Sequence, residues 1–127
     1  MISDVGYLPT YNTFMSHSLF TKIKKGEIPG KIVFQDKLCF AIEDINPQAP
    51  IHILIIPIKE IEKVSDSTAD DVMLLGHLLH ISKHIAEKYQ LDNNYRLIIN
   101  NGAKAGQSVF HLHVHLLGGR DLNWPPG

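Results

Sequence analysis

The stretch Gln107-Ser-Val-Phe-His-Leu-His-Val-His-Leu-Leu-Gly-Gly119 contains three histidines that alternate with apolar residues. Side chains on a β-strand alternate between its two faces. A strand over 109–117 would therefore place the three imidazoles on one face, at His111, His113 and His115. The apolar residues between them would face the core. Neighbouring imidazoles would be roughly 6–7 Å apart at the backbone, close enough to address one small anion or one metal ion.

The residues alone leave three interpretations of this pattern open. Buried structural histidines would need a partner for each ring nitrogen, because unpaired buried polar groups are costly. A zinc site could use a His-x-His pair with His52 from across the sheet, although no carboxylate or cysteine lies within the stretch. In the third interpretation, a neutral imidazole attacks phosphorus while its neighbours donate hydrogen bonds to the phosphate oxygens. Ser108 could reach the leaving atom, and the glycine-containing loop before it could offer backbone N–H groups.

Turn signals and apolar periodicity divide the rest of the chain into short elements. We predict a short helix over 16–25 and a long helix over 67–90, the latter from an apolar stripe at helical spacing. Strands are predicted over 31–35, 38–43, 52–56, 95–100 and 109–117. These elements indicate an α+β fold, with an antiparallel sheet of about five strands covered by one long helix and accompanied by one short N-terminal helix.

Length and composition limit the classes of protein that the chain can represent. The 127 residues are enough for one domain, which we assign to 16–127, preceded by an extension over 1–15. A net charge of −1 gives no broad basic surface, so we expect no nucleic-acid partner. No apolar run is long enough for a membrane span. The single cysteine, Cys39, fits a reducing compartment, and we expect a cytoplasmic protein.

The segment from His111 to Leu117 follows the pattern His-φ-His-φ-His-φ-φ, where φ is apolar, and resembles the signature of the histidine triad (HIT) family. Further stretches resemble its Hint branch, the purine nucleoside phosphoramidases. They are Ile28-Pro-Gly-Lys-Ile-Val-Phe34, Glu43-Asp-Ile-Asn-Pro-Gln-Ala-Pro-Ile-His52, Ile98-Ile-Asn-Asn-Gly102, Gly106-Gln-Ser-Val-Phe110, and Gly118-Gly-Arg120 through Trp124-Pro-Pro-Gly127. The resemblance covers roughly Ser18 to Gly127.

The resemblance implies a role for each matching catalytic position. His113 would be the nucleophile, and His115 would contact the α-phosphate and support proton transfer to the leaving group. His111 would fix the tautomer of the nucleophile through its backbone carbonyl. His52 would lie beside the phosphate, and Ser108 near the scissile bond.

The resemblance also implies a nucleotide pocket. Asp44 would hold the ribose hydroxyls, and Asn100 would line the phosphate site together with Gln107. An apolar slot would take the base, formed by Leu19, Phe20, Ile23, Ile42 and Ile45. Trp124, in the C-terminal segment, would reach the active site of the partner subunit in a homodimer.

The chain departs from the family pattern at several positions. Some relatives hold a structural zinc with Cys-x-x-Cys near the start, but this chain has Ser18 and Thr21 there, and Ile61 where a zinc histidine would fall. We therefore predict no metal and no cofactor. Ile42 replaces an aromatic residue of some relatives, which leaves the choice between adenine and guanine open. Gly118-Gly119 argues against the dinucleoside polyphosphate hydrolases, which usually have Pro-Arg after the triad.

Two functions follow as expectations. The first is a hydrolase that cleaves a purine nucleotide from an amine, and also acyl-adenylates, through a nucleotidyl-histidine intermediate. The second is a nucleotide-binding regulatory or scaffold dimer with weak catalysis. A second group of histidines, His77, His80 and His84, shares one helical face. We interpret it as a solvated or dimer-facing stripe, with a metal site as the alternative.

Overall fold

The sheet and its covering helices are seen in a computed structural model that describes residues 17–127, so the predicted extension over 1–15 lies outside the described residues. The helices are α1 (Leu19–Lys24) and α2 (Val72–Lys88), and the strands are β1 (Ile32–Gln35), β2 (Cys39–Glu43), β3 (Ile51–Pro57), β4 (Tyr95–Ile98) and β5 (Val114–Gly118). Short 3-10 turns occupy Val64–Asp66, Ala69–Asp71 and Ala103–Ala105.

The five strands form one antiparallel sheet in the order β1-β2-β3-β5-β4. The α+β prediction is confirmed. β3 lies at the centre, and every residue from His52 to Pro57 is buried. A central strand covered on both faces is expected to be apolar without alternation, which explains the run Ile53-Leu-Ile-Ile56.

Alternate residues of the sheet supply two separate apolar clusters, one on each face. The first contains Ala41, Ile53, Ile55, Val114 and Leu116, and packs against α2. The second contains Phe40, Ile42, Leu54 and Ile56, and packs against Phe20 of α1. The histidines lie on the face of the second cluster, because His52 and His115 alternate with residues of the first.

A side-chain cap begins α1, and another begins the 3-10 turn that leads into α2. Ser18 accepts a hydrogen bond from the backbone N–H of Thr21, so α1 begins at Leu19 rather than at residue 16. Thr68 and Asp71 form a capping box at the start of the 3-10 turn Ala69–Asp71, directly ahead of α2. None of the helices within 17–127 is long and apolar enough to cross a membrane.

The prediction of a strand over 109–117 is wrong in its first half, because β5 begins at Val114. The backbone N–H of Leu112 donates to the carbonyl of Ile61, in the loop after β3, at 2.7 Å. The carbonyl of His111 accepts a hydrogen bond from the Nδ1–H of the His113 ring. Residues 109–113 therefore follow an irregular path, since their polar groups bond to a loop and a side chain instead of a neighbouring strand.

A glycine ends β5 and turns the chain away from the sheet. Gly119 has a φ of +94°, and a Cβ atom there would lie 2.9 Å from the Cβ of Pro50. Such a φ is unfavourable for residues with a Cβ atom. The chain can thus continue to its C-terminal segment only because residue 119 has no side chain.

Candidate active site

His113 lies just before β5 with only 7% of its surface exposed. Its Nδ1 is 2.7 Å from the carbonyl oxygen of His111. A carbonyl only accepts hydrogen bonds, so Nδ1 carries the proton and Nε2 keeps its lone pair. This is the tautomer that a nucleophilic imidazole requires at Nε2.

His52 and His115 form a hydrogen-bonded pair across β3 and β5. Leu54 pairs with His115 and Leu117 pairs with His52, so the two histidines are diagonal neighbours on one face. His52 Nε2 lies 2.9 Å from His115 Nδ1. The ring of His113 lies next in line, with its centroid 4.9 Å from that of His115. The three rings therefore form a continuous row.

A backbone donor fixes the protons along this row. The N–H of Gln48 donates to His52 Nδ1 at 3.0 Å. A neutral His52 must then carry its proton on Nε2 and donate it to His115 Nδ1. His115 in turn carries its proton on Nε2. The row thus combines one free lone pair, at His113, with one N–H donor, at His115.

The surroundings favour the neutral forms of the imidazoles. Burial lowers the pKa of His113 and outweighs the opposing effects of the His111 carbonyl and of Asp44. Burial, followed by the positive charges that His113 and His52 would carry, lowers the pKa of His115 to about 4. Burial also lowers the pKa of His52, against the attraction of Asp44. Lone pairs are therefore available at neutral pH.

Asp44 follows β2 and places its carboxylate at the end of the row. Its Oδ1 accepts the backbone N–H of Asn46 at 2.8 Å. Its Oδ2 lies 3.4 Å from His52 Nε2. The backbone N–H of Asp44 donates to the carbonyl of His52 at 3.0 Å, which ties the turn to β3. The structure thus brings Asp44 together with His52 at one end of the row.

His111 departs from the expected arrangement. Its side chain is fully buried, with its Nε2 2.7 Å from the carbonyl of Pro57 and its Nδ1 2.5 Å from Ser18 Oγ. The prediction that all three triad histidines lie on one strand is wrong, because His111 and His113 precede β5 and only His115 belongs to it. Its ring anchors the chain, and its carbonyl contacts His113.

The predicted base slot is only partly assembled within one chain. Phe20, Ile23 and Ile42 belong to one apolar cluster, and Phe20 meets His113 edge-on at a centroid distance of 4.9 Å. Leu19 is substantially exposed, and Ile45 is 94% exposed in the turn after Asp44. The slot therefore has a buried wall and two apolar residues at the surface.

Gln107 has a different role from the predicted contact with the nucleotide. It is buried, and its Nε2 donates to the carbonyls of Glu62 and Val109 while its Oε1 accepts from the N–H of Gly102. Both amide hydrogens are therefore used within the protein. Gln107 holds the loop that carries the exposed Ser108.

Two other predicted positions lie at the surface or near this loop. Asn100 is half-buried, and its amide lies beside Gly106, where a Cβ atom would approach Asn100 Nδ2 to 3.6 Å. Trp124 is 81% exposed, and the carbonyl of the preceding Asn123 accepts a hydrogen bond from Arg96. The ring of Trp124 is thus available to another surface.

The donor atoms of this site do not match a metal site. One ligand atom from each of Asp44, His52 and His115 lies within 4.8 Å of the others. However, His52 Nε2 carries a proton as long as Gln48 donates to Nδ1, so that nitrogen has no lone pair for a metal. A metal would have to displace this backbone hydrogen bond or form an imidazolate.

A second group of polar residues, Ser18, Thr21 and Glu60, surrounds the outer edge of His111. Thr21 Oγ1 donates to Glu60 Oε2 at 2.8 Å, and the backbone N–H of Ser18 donates to Glu60 Oε1 at 3.1 Å. Ile61, which stands where some relatives have a zinc histidine, has its side chain in the core under α2. Glu60 is a site residue that no local sequence pattern marks, although it is next to Ile61 in the chain.

The family model of the HIT domain matches residues 25–122, which include the whole row of histidines. The chain belongs to the HIT family. A HIT-like protein of Synechocystis is 52% identical over 110 residues, which cover 87% of this chain and 96% of the relative.

Solved HIT structures share the fold as well as the sequence. A HIT family hydrolase from Legionella pneumophila superimposes with a TM-score of 0.84 and 48% identity, over 87% of this chain and 100% of that one. A histidine triad nucleotide-binding protein from Candida albicans gives a TM-score of 0.72 and 32% identity, over 86% and 83% of the two chains.

Proposed function

We propose that this HIT protein hydrolyses purine nucleoside 5′-phosphoramidates through a covalent nucleotidyl-histidine at His113. The observation that carries the proposal is the free Nε2 lone pair of a buried, neutral His113 beside the N–H donor of His115. The similarity to structures described as a HIT family hydrolase and a histidine triad nucleotide-binding protein supports both parts of the proposal.

The nucleotide would bind between the apolar wall and the row of histidines. Phe20, Ile23 and Ile42 would contact the base, and Leu19 and Ile45 would close over it. Asp44 would accept hydrogen bonds from the ribose hydroxyls, since Oδ2 has only a 3.4 Å contact to His52. Asn100 would donate to the phosphate. These contacts would hold the α-phosphorus against His113, so that positioning supplies much of the rate.

In the first step, the Nε2 lone pair of His113 forms a bond to the α-phosphorus while the bond from phosphorus to the amine nitrogen breaks. The amine leaves with the bonding pair and takes a proton from the imidazolium of His115, with Ser108 next to the leaving atom. The negative charge of the bound phosphate favours this imidazolium in the complex, and His115 ends the step neutral. His113 now has a hydrogen on Nδ1 and the phosphorus on Nε2, so its ring is positively charged. The carbonyl of His111 stabilises this ring by accepting from Nδ1–H.

In the second step, water forms a bond to phosphorus and the bond to His113 Nε2 breaks. His115 Nε2, which lost its proton in the first step, takes one from the water. The nucleoside monophosphate leaves, and both histidines return to their starting states. Acyl-adenylates would react in the same way, with a carboxylate as the leaving group.

The test uses adenosine 5′-phosphoramidate of a fluorescent amine as substrate. We expect His113→Ala to lower kcat at least 1000-fold, on the order of the effect of removing a catalytic nucleophile. His80→Ala, at an exposed position of α2, is the matched control and should retain full activity. Mass spectrometry of the quenched wild-type reaction should find one adenylyl group on His113.

The alternative is a nucleotide-binding regulatory or scaffold protein, favoured by the exposed apolar residues Leu19 and Ile45 beside the base slot. Equal hydrolysis rates for wild type and His113→Ala, with equal AMP affinity, would reject the enzyme and support this alternative. A large difference in rate between wild type and His113→Ala would reject the regulatory or scaffold alternative.

A homodimer is part of the proposal. Val72, Met73 and Leu79 of α2 are exposed, with 85% of Met73 accessible, and β4 lies at an edge of the sheet. Such apolar exposure is typical of an interface between subunits. Trp124 would then reach the active site of the partner. Removal of residues 121–127 should change the ranking of amine leaving groups, and an unchanged ranking would exclude this role for Trp124.

A further inference from the structure

The ring of His111 bridges two distant parts of the chain. On one side, Nε2 meets the carbonyl of Pro57, at the end of β3. On the other side, Nδ1 meets the hydroxyl of Ser18, the cap of α1. Because the ring is fully buried, neither nitrogen can exchange its partner for bulk water.

The partners determine where the protons lie. The carbonyl of Pro57 only accepts, so Nε2 of His111 carries a proton. Burial lowers the pKa of His111 and favours the neutral ring, in which Nδ1 is a lone pair. Ser18 Oγ accepts the N–H of Thr21 at 3.0 Å and has two acceptors within reach of its single hydrogen, Thr21 Oγ1 at 3.2 Å and His111 Nδ1 at 2.5 Å. The shorter contact, to a nitrogen lone pair, assigns this hydrogen to His111.

Glu60 fixes the segment of chain that carries this hydroxyl. Its two oxygens accept from Thr21 Oγ1 and from the backbone N–H of Ser18, and Oε2 lies 2.9 Å from His17 Nδ1. Burial raises the pKa of Glu60, but these hydrogen bonds outweigh it, and the net pKa is lowered. A charged carboxylate therefore ties the beginning of α1 to the chain after β3.

His111 connects these hydrogen bonds to His113, the proposed nucleophile. Its carbonyl oxygen is the acceptor for His113 Nδ1 at 2.7 Å. The ring and the carbonyl belong to one residue on an irregular segment, with no strand partner to fix its peptide plane. The two hydrogen bonds of the ring supply the constraint that a strand would otherwise give.

We propose that Ser18 is a positioning residue that, held by Thr21 and Glu60, fixes His111 as its Nε2–H tautomer and thereby fixes the carbonyl on which His113 depends. The proposal rests on the proposed function of His113 for its effect on the rate. Its effect on the protonation of His111 and His113 stands independently of any activity.

A purely structural role of Ser18, as the cap of α1, has to be separated from this one. Ser18→Asp keeps an acceptor for the N–H of Thr21 but replaces the hydroxyl donor by an acceptor. His111 Nδ1 would then face a carboxylate, which it can satisfy only by taking up a second proton. Ser18→Ala removes both interactions, and Ser18→Thr restores both.

The first measurement is the ¹⁵N NMR spectrum of the histidine rings, at neutral pH and without substrate. We expect neutral Nε2–H for His111 in the wild type and in Ser18→Thr, and the doubly protonated ring in Ser18→Asp. In Ser18→Ala, the Nδ1–H signal of His113 should lose its protection from exchange. His111 and His113 spectra in Ser18→Asp and Ser18→Ala that match the wild type would overturn the proposal.

The second measurement is the phosphoramidate assay. Ser18→Ala and Ser18→Asp should lower kcat roughly 10- to 100-fold with KM little changed, since misplacement of a reacting group has effects of that size. Ser65→Ala, at an exposed position away from this network, is the control. If kcat fell for Ser18→Ala but not for Ser18→Asp, Ser18 would act only as the cap of α1, and the proposal would be rejected. An inactive wild type would reject the proposed function, and the NMR result would still decide the role of Ser18.

Discussion

Two groups of three histidines, the triad and the stripe on α2, show the difference between a shared spacing and a shared chemistry. In the triad, His111 and His113 are buried, and the backbone carbonyls of Pro57 and of His111 itself fix their protons. Along α2, His80 and His84 are exposed and His77 is half-buried.

The partners of the α2 histidines also differ from those of the triad. His77 Nε2 lies 2.8 Å from Asp36 Oδ2, and His84 meets the ring of Phe34 edge-on at 6.4 Å. Both partners belong to the β1–β2 hairpin, so the stripe faces its own sheet edge in part rather than only solvent or a second subunit. Regular spacing sets the direction of a side chain, whereas burial and backbone partners set its reactivity.

The largest expected effect separates the two groups by activity. His115→Gln should lower kcat for the phosphoramidate by about 100- to 10,000-fold, because the amine loses its proton donor. His84→Gln, the matched change on α2, should leave kcat unchanged. The loss should shrink for substrates whose leaving amine is weakly basic and needs no proton. A uniform loss over all leaving groups would contradict the role of His115 as an acid.

The second effect separates the groups by the pH dependence of stability. Burial holds the pKa of His52, His111, His113 and His115 below 6.5 in the folded state. As the pH falls below about 6.5, these histidines therefore bind protons in the unfolded chain before they do so in the folded protein. The free energy of unfolding decreases from that pH down to the lowered pKa values of the folded state. Each such histidine contributes about 1.4 kcal/mol per pH unit within its window.

Thermal or urea unfolding between pH 7 and pH 4.5 measures this loss directly. For His115, the window extends from 6.5 to about 4. His115→Gln should flatten the dependence, and His80→Gln should leave it as in the wild type. A free energy of unfolding that is constant over this range would show that the triad is not held neutral.

The third effect concerns the ion pair of the α2 group. Burial raises the pKa of Asp36, but the N–H groups of Leu38 and Cys39, together with His77, lower it overall. His77→Gln should cost less than about 1 kcal/mol of stability, since a pair that solvent still partly reaches contributes little. Unfolding in urea at pH 6 provides the value, and activity should not change. A loss above about 2 kcal/mol would mean that this pair is part of the core.

The smallest effect is expected at His84. His84→Ala removes only the edge contact with Phe34 and should change stability by less than about 0.5 kcal/mol. Differential scanning calorimetry at pH 7 can resolve this limit. A larger change would place His84 in an interface that the single chain does not contain.

The sequence predicted the sheet well because its strands carry strong local signals. The β-branched run of β3 and the apolar stripe of α2 need no tertiary information. Both elements are present, although α2 begins at Val72 rather than at residue 67. The capping box of Thr68 and Asp71 is equally local. The fold class therefore followed from patterns within single elements.

The candidate site was predictable only as far as its residues lie near each other along the chain. The bond from His113 to the carbonyl of His111 spans two residues, yet it disrupts the strand that the alternation indicated. The contact between Ser18 and His111 spans 93 residues, and no local pattern marks it. Gln107 was expected to bind nucleotide, because a sequence does not show that its amide is used inside the loop.

The hydrogen bond from Gln48 to His52 has a consequence for the tolerance of this site to mutation. The donor is a main-chain N–H, so it is present whichever side chain occupies position 48. The direction in which His52 and His115 hold their protons is thus protected against nearly every single substitution there. Proline is the exception, since it alone lacks the N–H. A saturation library at this codon should accordingly yield one inactive protein among many active ones.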